Sequence, residues 1–463
     1  MKWWPPLQKD YTKKYRKHVD EMYLKGYTRF KLINRGGVSM DQEYAIERIR
    51  QGVNLFVTGG AGRGKSYIIR QIYNNSTVLV APTGIAALNI GGITCHSAFG
   101  LPFGYPTAKD WVSVSSKAKK LFGKGSGVTR IILDEGGMCS AVTLDVIDAK
   151  LKLIRGNDLP FGGIQMVMVG DFFQLEPIVN RQDSKYFFKD YEMPYAFAAK
   201  SWNFETVVLL DCKRQEDTRQ VAMLDAIREG TNKAWAALRT IQKEAKPYDY
   251  SENTLHLCNY KDDAAYINKY WYDQVEGKER SYFAKIEGDK RVKWNDVPVQ
   301  EVTDLKVGCK VVCAANCQEG QYVNGSHGTV TGFGIGSVRV QLDNGDEVLV
   351  EEFTWEKFSM SKGVKGLVKT PIATFTQVPL KLGYAVTAHS SQGCTLDHAA
   401  IHVGRGCFSA GQLYMMLSRI TDLRNLSFVG EMDVENGVFP VGKQNIIVSE
   451  EVQDFYENIL KDL

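Results

Sequence analysis

The chain is 463 residues long, 44% hydrophobic and 24% charged, with a formal net charge of +4. Those proportions belong to a globular protein of about two to four domains and exclude a polycation that coats nucleic acid by charge alone. No apolar run approaches the length of a membrane span, and the opening "MKWWPPLQKDYTKKYRKH" lacks the apolar core of a secretion signal, so the expectation is a cytoplasmic protein without a membrane partner.

Residues 1–38 read as a basic arm. The first 35 carry ten basic and three acidic residues, with Trp3, Trp4, Tyr11, Tyr15, Tyr23, Tyr27 and Phe30 interleaved. Bases with aromatics can bind phosphates and stack nucleobases. They can equally form a solvated helix whose rings pack on the next domain, and the sequence leaves both open.

From 39 to 213, short apolar runs alternate with helical segments, and strands are expected at 55–57, 78–81, 130–133, 166–169 and 207–210. That alternation predicts a doubly wound parallel sheet. The first strand runs into "GGAGRGKSYIIRQI". Here Gly59, Gly60, Ala61, Gly62, Arg63, Gly64, Lys65 and Ser66 form a glycine loop that opens a helix. Glycines let a ligand approach the backbone, and the N–H groups and dipole of the helix start favour an anion. Lys65 can reach the β- and γ-phosphates of a nucleoside triphosphate and Ser66 can bind Mg²⁺. Residues 101–127, rich in Gly, Ser and Lys, interrupt the alternation as a small insertion or loop.

"RIILDEGGM" ends a strand with Asp134 and Glu135. One carboxylate can hold Mg²⁺ and the other can take a proton from the attacking water. "VMVGDFFQLEPI" ends the next with Gln174, whose amide can bond both the γ-phosphate and that water. Arg214, after the last strand, and Arg419, in "LYMMLSRI", have the planar fork that suits phosphate oxygens. Between 301 and 364 the texture changes to short strands with turn signals at Asn324-Gly325 and Asn344-Gly345, which fits a small antiparallel barrel. A second α/β domain, 214–300 and 365–463, would flank it. Cys309, Cys313 and Cys317 match no common zinc spacing and read as reduced thiols.

The ordered set "GGAGRGKS", "LVAPTGIAALNIGGITCHSAFGL", "LDEGGM", "GDFFQLEPI", "KRQED", "GYAVTAHSSQGCTLD" and "YMMLSRITDLRNL" resembles the PIF-type DNA helicases of superfamily 1, the branch that moves 5′ to 3′. The resemblance implies two RecA-like domains that clasp ATP, an inserted SH3-like barrel, and a strand-separating wedge at 101–127. It makes Gln42 the adenine reader and adds Gly393 to the nucleotide contacts. It assigns Lys65, Ser66, Asp134, Glu135, Gln174, Arg214 and Arg419 to ATP hydrolysis. Pro82, Thr83, Thr94 and His96 would line a single-strand track on the first domain, and His389, Ser391 and Gln392 one on the second. The implied partners are single-stranded DNA and duplex junctions, with single-strand-binding or replication proteins as further candidates. The implied setting is replication, repair or recombination by a monomer, in a bacterium or a virus-infected cell. A RecD-like translocase subunit is the alternative.

Three departures stand out. Arg63 replaces the family's usual Thr, so a cation near the phosphates or a solvent-facing side chain is expected. "DEGGM" replaces "DEISM", and Gly136-Gly137 are expected to loosen the turn. Ser390 replaces the Lys of "HKSQG", removing one possible phosphate contact.

Overall fold

The computed structural model describes residues 40–461, apart from 103, 180, 182, 212–216, 250–253, 290, 293, 295–296, 316, 318–320, 323–325, 364–365, 393–395 and 435–437. The basic arm at 1–38, Arg214 and Gly393 lie outside the described residues.

After the helix Met40–Arg50, strands β1 (Leu55–Thr58), β2 (Thr77–Ala81), β3 (Ile93–Thr94), β4 (Arg130–Leu133), β5 (Gln165–Gly170) and β6 (Glu205–Val208) form one sheet. Its order is β3-β2-β4-β5-β1-β6 and all five pairings are parallel. Alternate residues face opposite sides of a strand. Phe56, Ile131, Leu133, Met166 and Met168 enter one core, while Leu55, Val57, Ile132, Val167 and Val169 enter another. Apolar residues are needed on both faces because helices cover both.

The five expected strands are present, and β3 is the one that sequence reading missed. It is a two-residue edge strand, too short for a hydrophobic pattern. Strand β6 ends earlier than expected because the Leu210 N–H leaves the sheet to bond the Asp41 carboxylate (3.2 Å). Within 101–127 lie two short helices, Ala108–Val112 and Ser116–Phe122. The second is anchored by Phe122, whose ring stacks on Phe99 with centroids 4.9 Å apart.

Beyond the helices Thr218–Glu229 and Ala234–Glu244 comes β7 (His256–Cys258). The helix Lys261–Gln274 then leads into β8 (Glu279–Phe283), β9 (Lys285–Gly288), β10 (Val302–Lys306), β11 (Lys310–Cys313), β12 (His327–Gly334), β13 (Ser337–Leu342), β14 (Glu347–Glu351), β15 (Phe353–Gly363), β16 (Gly366–Gln377) and β17 (Leu380–Leu382). These are antiparallel. They form a five-stranded sheet β14-β13-β12-β11-β17, a three-stranded sheet β15-β16-β9 and the pair β10-β8. Asn344-Gly345 makes the turn from β13 to β14: Gly345 has φ 96° and Asn344 Oδ1 accepts from Asp346 N. The chain returns through β18 (Ala385–Thr387), β19 (Ala399–His402) and β20 (Leu426–Phe428), which with β7 build a second parallel sheet, β18-β7-β19-β20.

The final helix, Glu450–Lys461, lies against the first sheet, and its Val452 and Tyr456 belong to the core that contains Phe56 and Phe172. Among the described residues no helix is long and apolar enough to cross a membrane, and no group of three or more His, Cys, Asp and Glu side chains is placed to hold a metal ion by itself. Burial pushes the Cys313 thiol up to about 12, so it stays protonated at neutral pH.

Candidate active site

The strand order places the C-terminal ends of β4, β5 and β1 side by side, which is where a parallel α/β sheet binds its ligand. The loop after β1 turns through left-handed glycines at Gly62 (φ 75°) and Gly64 (φ 85°). A Cβ on Gly64 would stand 2.2 Å from Gln42 Nε2, so a larger residue would displace the Gln42 amide, which donates to Arg63 O (3.0 Å). The helix Lys65–Ile72 starts there, fixed by buried Ile68, Ile69 and Ile72. Lys65 Nζ donates to Gly59 O (2.6 Å) and Gly60 O (3.0 Å). Burial lowers its pKa, opposed by the carboxylates of Asp171, Glu135 and Asp134.

Asp134 and Glu135 leave β4 together. Burial, and then the charge of Glu135, raises the Asp134 pKa to about 7. Two adjacent, half-buried hard-oxygen donors with that electrostatics suit a divalent cation. Glu135 has φ 49°, a left-handed conformation rare for a residue with a Cβ. The expected looseness of "DEGGM" is corrected here. Gly136 and Gly137 are buried in a 3-10 turn pressed on the end of β5. A Cβ on Gly136 would stand 2.3 Å from Met168 Cγ, and one on Gly137 2.5 Å from Asp171 O. The glycine pair makes the turn tight.

Arg63 is corrected too. Its guanidinium does not face solvent. It pairs with Asp225 Oδ2 (2.6 Å) on the helix Thr218–Glu229 and donates to Leu209 O (3.1 Å) and Leu210 O (2.5 Å).

Gln174 is buried in the turn after β5, with its N–H on Asp171 O (3.1 Å). Arg419 is buried, with Nε on Met415 O and Nη2 on Ser418 Oγ, each at 3.0 Å. The fold brings Gln42, Ala61, Gly62, Arg63, Gly64, Lys65, Ser66, Asp134, Glu135, Gln174 and Arg419 around one cleft of about 490 Å³.

The residues assigned to a strand track divide. Thr83 Oγ1 accepts from Ala86 N (3.2 Å) and Thr94 Oγ1 from Ser97 N (3.2 Å), so each caps a short helix. Those caps stand beside each other because Ala81 and Thr94 are register partners. Pro82 and His96 are half-buried nearby, and burial lowers the His96 pKa. His389 opens a 3-10 turn after β18. Ser391 departs from expectation: its hydroxyl is buried and donates to Ala388 O (2.8 Å), so it does not face solvent. Gln392 Nε2 donates to Glu135 Oε2 (2.9 Å), which puts it at the carboxylates and joins the two parallel sheets across the cleft.

Sequence reading missed three groups. Arg228 clamps Asp171 with two bonds, Nε to Oδ2 (3.0 Å) and Nη2 to Oδ1 (2.8 Å), both side chains buried. Tyr414 Oη accepts from the Ala61 N–H of the glycine loop (2.9 Å). Tyr456 packs behind Phe173. One signal was legible: Arg228 continues the helical stripe of Gln220, Met223, Leu224 and Ile227, and an arginine on a buried stripe requires a partner.

The sequence model of the PIF1-like helicases matches residues 37–233. "ATP-dependent DNA helicase Pif1" of Psychrobacter sp. is 30% identical over 87% of this chain and 70% of its own length. The chain belongs to the PIF1-like helicase family. Another family member, "ATP-dependent DNA helicase PIF1" of Xenopus laevis, is 30% identical over 84% of this chain, which spans only 61% of that protein. Among solved structures, Pif1 from Bacteroides sp. in complex with ADP-AlF4 superposes with a TM-score of 0.78 at 30% identity, covering 92% of this chain and 98% of that one. Bacteroides Pif1 bound to ssDNA gives a TM-score of 0.68 at 31% identity, covering 92% and 98%.

Proposed function

We propose that the chain is an ATP-driven DNA helicase that translocates 5′ to 3′ on single-stranded DNA and opens duplex at junctions. The observation that carries this reading is the convergence of Lys65, Asp134, Glu135, Gln174 and Arg419 on one cleft, with Gln392 of the second sheet bonded to Glu135 across it. In this reading the two parallel sheets are the cores of two RecA-like domains and the antiparallel strands between them are the SH3-like element. The helices within 101–127 are the wedge.

The chemistry follows from the side chains. Lys65 supplies charge at the β- and γ-phosphates, and Gln42, beside the loop, reads the base. Glu135 takes the proton of the attacking water, which Gln174 orients. Arg419, with Arg214, stabilises the charge that spreads over the γ-oxygens. Ser66 and Asp134 would hold Mg²⁺, which neutralises phosphate charge when bound. A Gln392–Glu135 bond that breaks and reforms would link nucleotide state to the second sheet, and the grip on DNA would alternate by population shift. Pro82, Thr83, Thr94 and His96 are proposed to line the strand's track on the first sheet, with the turn that His389 opens as its counterpart on the second.

Support comes from the relatives named as ATP-dependent DNA helicases and from the Bacteroides structures with ADP-AlF4 and with ssDNA. Unwinding of matched duplexes with a 5′ or a 3′ tail tests the proposal. Activity confined to the 5′-tailed substrate is expected. Unwinding of the 3′-tailed one refutes the polarity, and ATP turnover without strand displacement by the purified chain favours the translocase subunit.

A further inference from the structure

The Tyr456 side chain, on the final helix, touches three elements of the ATP site from behind. Its hydroxyl bonds Thr58 Oγ1, on the last residue of β1 before the glycine loop, and lies 3.4 Å from the Phe172 N–H. Its ring stacks on Phe173, centroids 4.7 Å apart and planes 16° apart. The Arg228 guanidinium that clamps Asp171 stands 4.4 Å from the Phe173 centroid and 5.4 Å from that of Tyr456. Asp171, Phe172 and Phe173 are thus each held by Tyr456 or by its neighbour Arg228, and Gln174 follows directly. The family match ends at residue 233, so nothing in it assigns a part to the helix Glu450–Lys461.

We propose that Tyr456 is a positioning residue for ATP hydrolysis: it fixes the Asp171–Phe173 turn against the stem of the glycine loop and so sets where the Gln174 amide stands. The argument rests on the role given to Gln174 above. A turn held by one ring and one hydroxyl keeps its place relative to Thr58, and displacement of an orienting group by about an ångström is enough to slow chemistry by orders of magnitude. The neighbouring Phe455 makes a useful contrast. Its ring packs on Phe197 (4.4 Å) and Phe172 (5.5 Å) but has no polar group to bond the loop stem.

The test uses the full chain, with steady-state ATP turnover and melting temperature measured for Y456L, Y456F, F455L, Q174A and each of the first three combined with Q174A. We expect Y456L to lower kcat about tenfold with KM for ATP changed less than about threefold, and Y456F, which keeps the stack, to lose about three- to fivefold. Because Tyr456 acts through Gln174, Y456L/Q174A should be no slower than Q174A, whereas F455L should lower the melting temperature and leave kcat within about twofold. Wild-type kcat in Y456L, or losses that multiply in the double variant, overturn the proposal. Should Y456L not fold, Y456F and Y456F/Q174A decide by the same comparison. If Q174A itself turns over normally, the role of Gln174 falls and this proposal with it, an outcome distinct from a slow Q174A beside a normal Y456L.

Discussion

Replacing Arg63 with threonine separates two roles for a loop cation. In this protein the guanidinium makes three polar contacts, to Asp225 Oδ2 at 2.6 Å, Leu209 O at 3.1 Å and Leu210 O at 2.5 Å. The Arg63 side chain is 9% exposed and that of Asp225 30%. Removing one partner of a fully buried pair costs about 3–5 kcal/mol, but Asp225 is wet enough to be partly rehydrated, so R63T should cost about 2–3 kcal/mol. D225N keeps an acceptor and should cost about 1 kcal/mol. Because the two side chains touch, the effects should not add, and the double-mutant cycle should give a coupling of about 1–2 kcal/mol. The guanidinium is committed to Asp225 and two backbone carbonyls, so ATP affinity should change less than about threefold, or about 0.6 kcal/mol. Denaturant melts and nucleotide titrations on the four proteins supply the numbers. A stable R63T that binds ATP tenfold more weakly would refute the structural role of the Arg63–Asp225 pair and make Arg63 a phosphate ligand.

K65A should abolish ATP turnover, since Arg63 is committed elsewhere and cannot substitute; near-normal turnover would show that the loop has been misread. E135Q should bind ATP and DNA yet hydrolyse about 10²–10⁴-fold more slowly, while equal losses in affinity and rate would indicate a structural part for Glu135. R419A should reduce turnover about 10³-fold or more with DNA-free nucleotide affinity mostly intact, and a loss seen only in the melting curve would remove it from the transition state. The pKa of Asp134, raised to about 7 in the folded protein against about 3.9 unfolded, means that the folded state holds this proton more tightly. Its contribution to stability is therefore complete below about pH 4 and lost as pH rises through 7. In Mg²⁺-free buffer D134N should flatten that slope, and Mg²⁺ should raise the melting temperature of the wild type most above pH 7. An unchanged slope in D134N would place the titration elsewhere.

The parts of the site that lie on one strand and the loop after it were legible in the sequence. A buried strand, four glycines and an apolar helix are local features, and so are the carboxylates at the end of β4. What could not be read was pairing across distance. Nothing near Arg63 announces Asp225, and the tightness of Gly136-Gly137 depends on Met168 and Asp171, which arrive one strand later. Strand β3 was missed because two residues carry no period. The capping bonds of Thr83 and Thr94 were the more legible part of the strand track, because threonine directly before a short helix is the signature of a cap. Ser391 was misplaced, since its hydroxyl satisfies the carbonyl three residues back.

The docking of the final helix on the first sheet bears on how the chain is made. The strands of that sheet end at Val208, yet its core is completed by Val452 and Tyr456, some 240 residues later. During synthesis the rings of Phe56, Phe172, Phe197 and Trp202 lack their partner Phe455 until the whole second half has emerged. Contacts of such high sequence separation form late, and apolar surface left uncovered meanwhile is open to aggregation. The first sheet therefore cannot finish folding as an independent N-terminal unit. A nascent chain stalled before residue 450 would depend on chaperones in a way the complete chain does not.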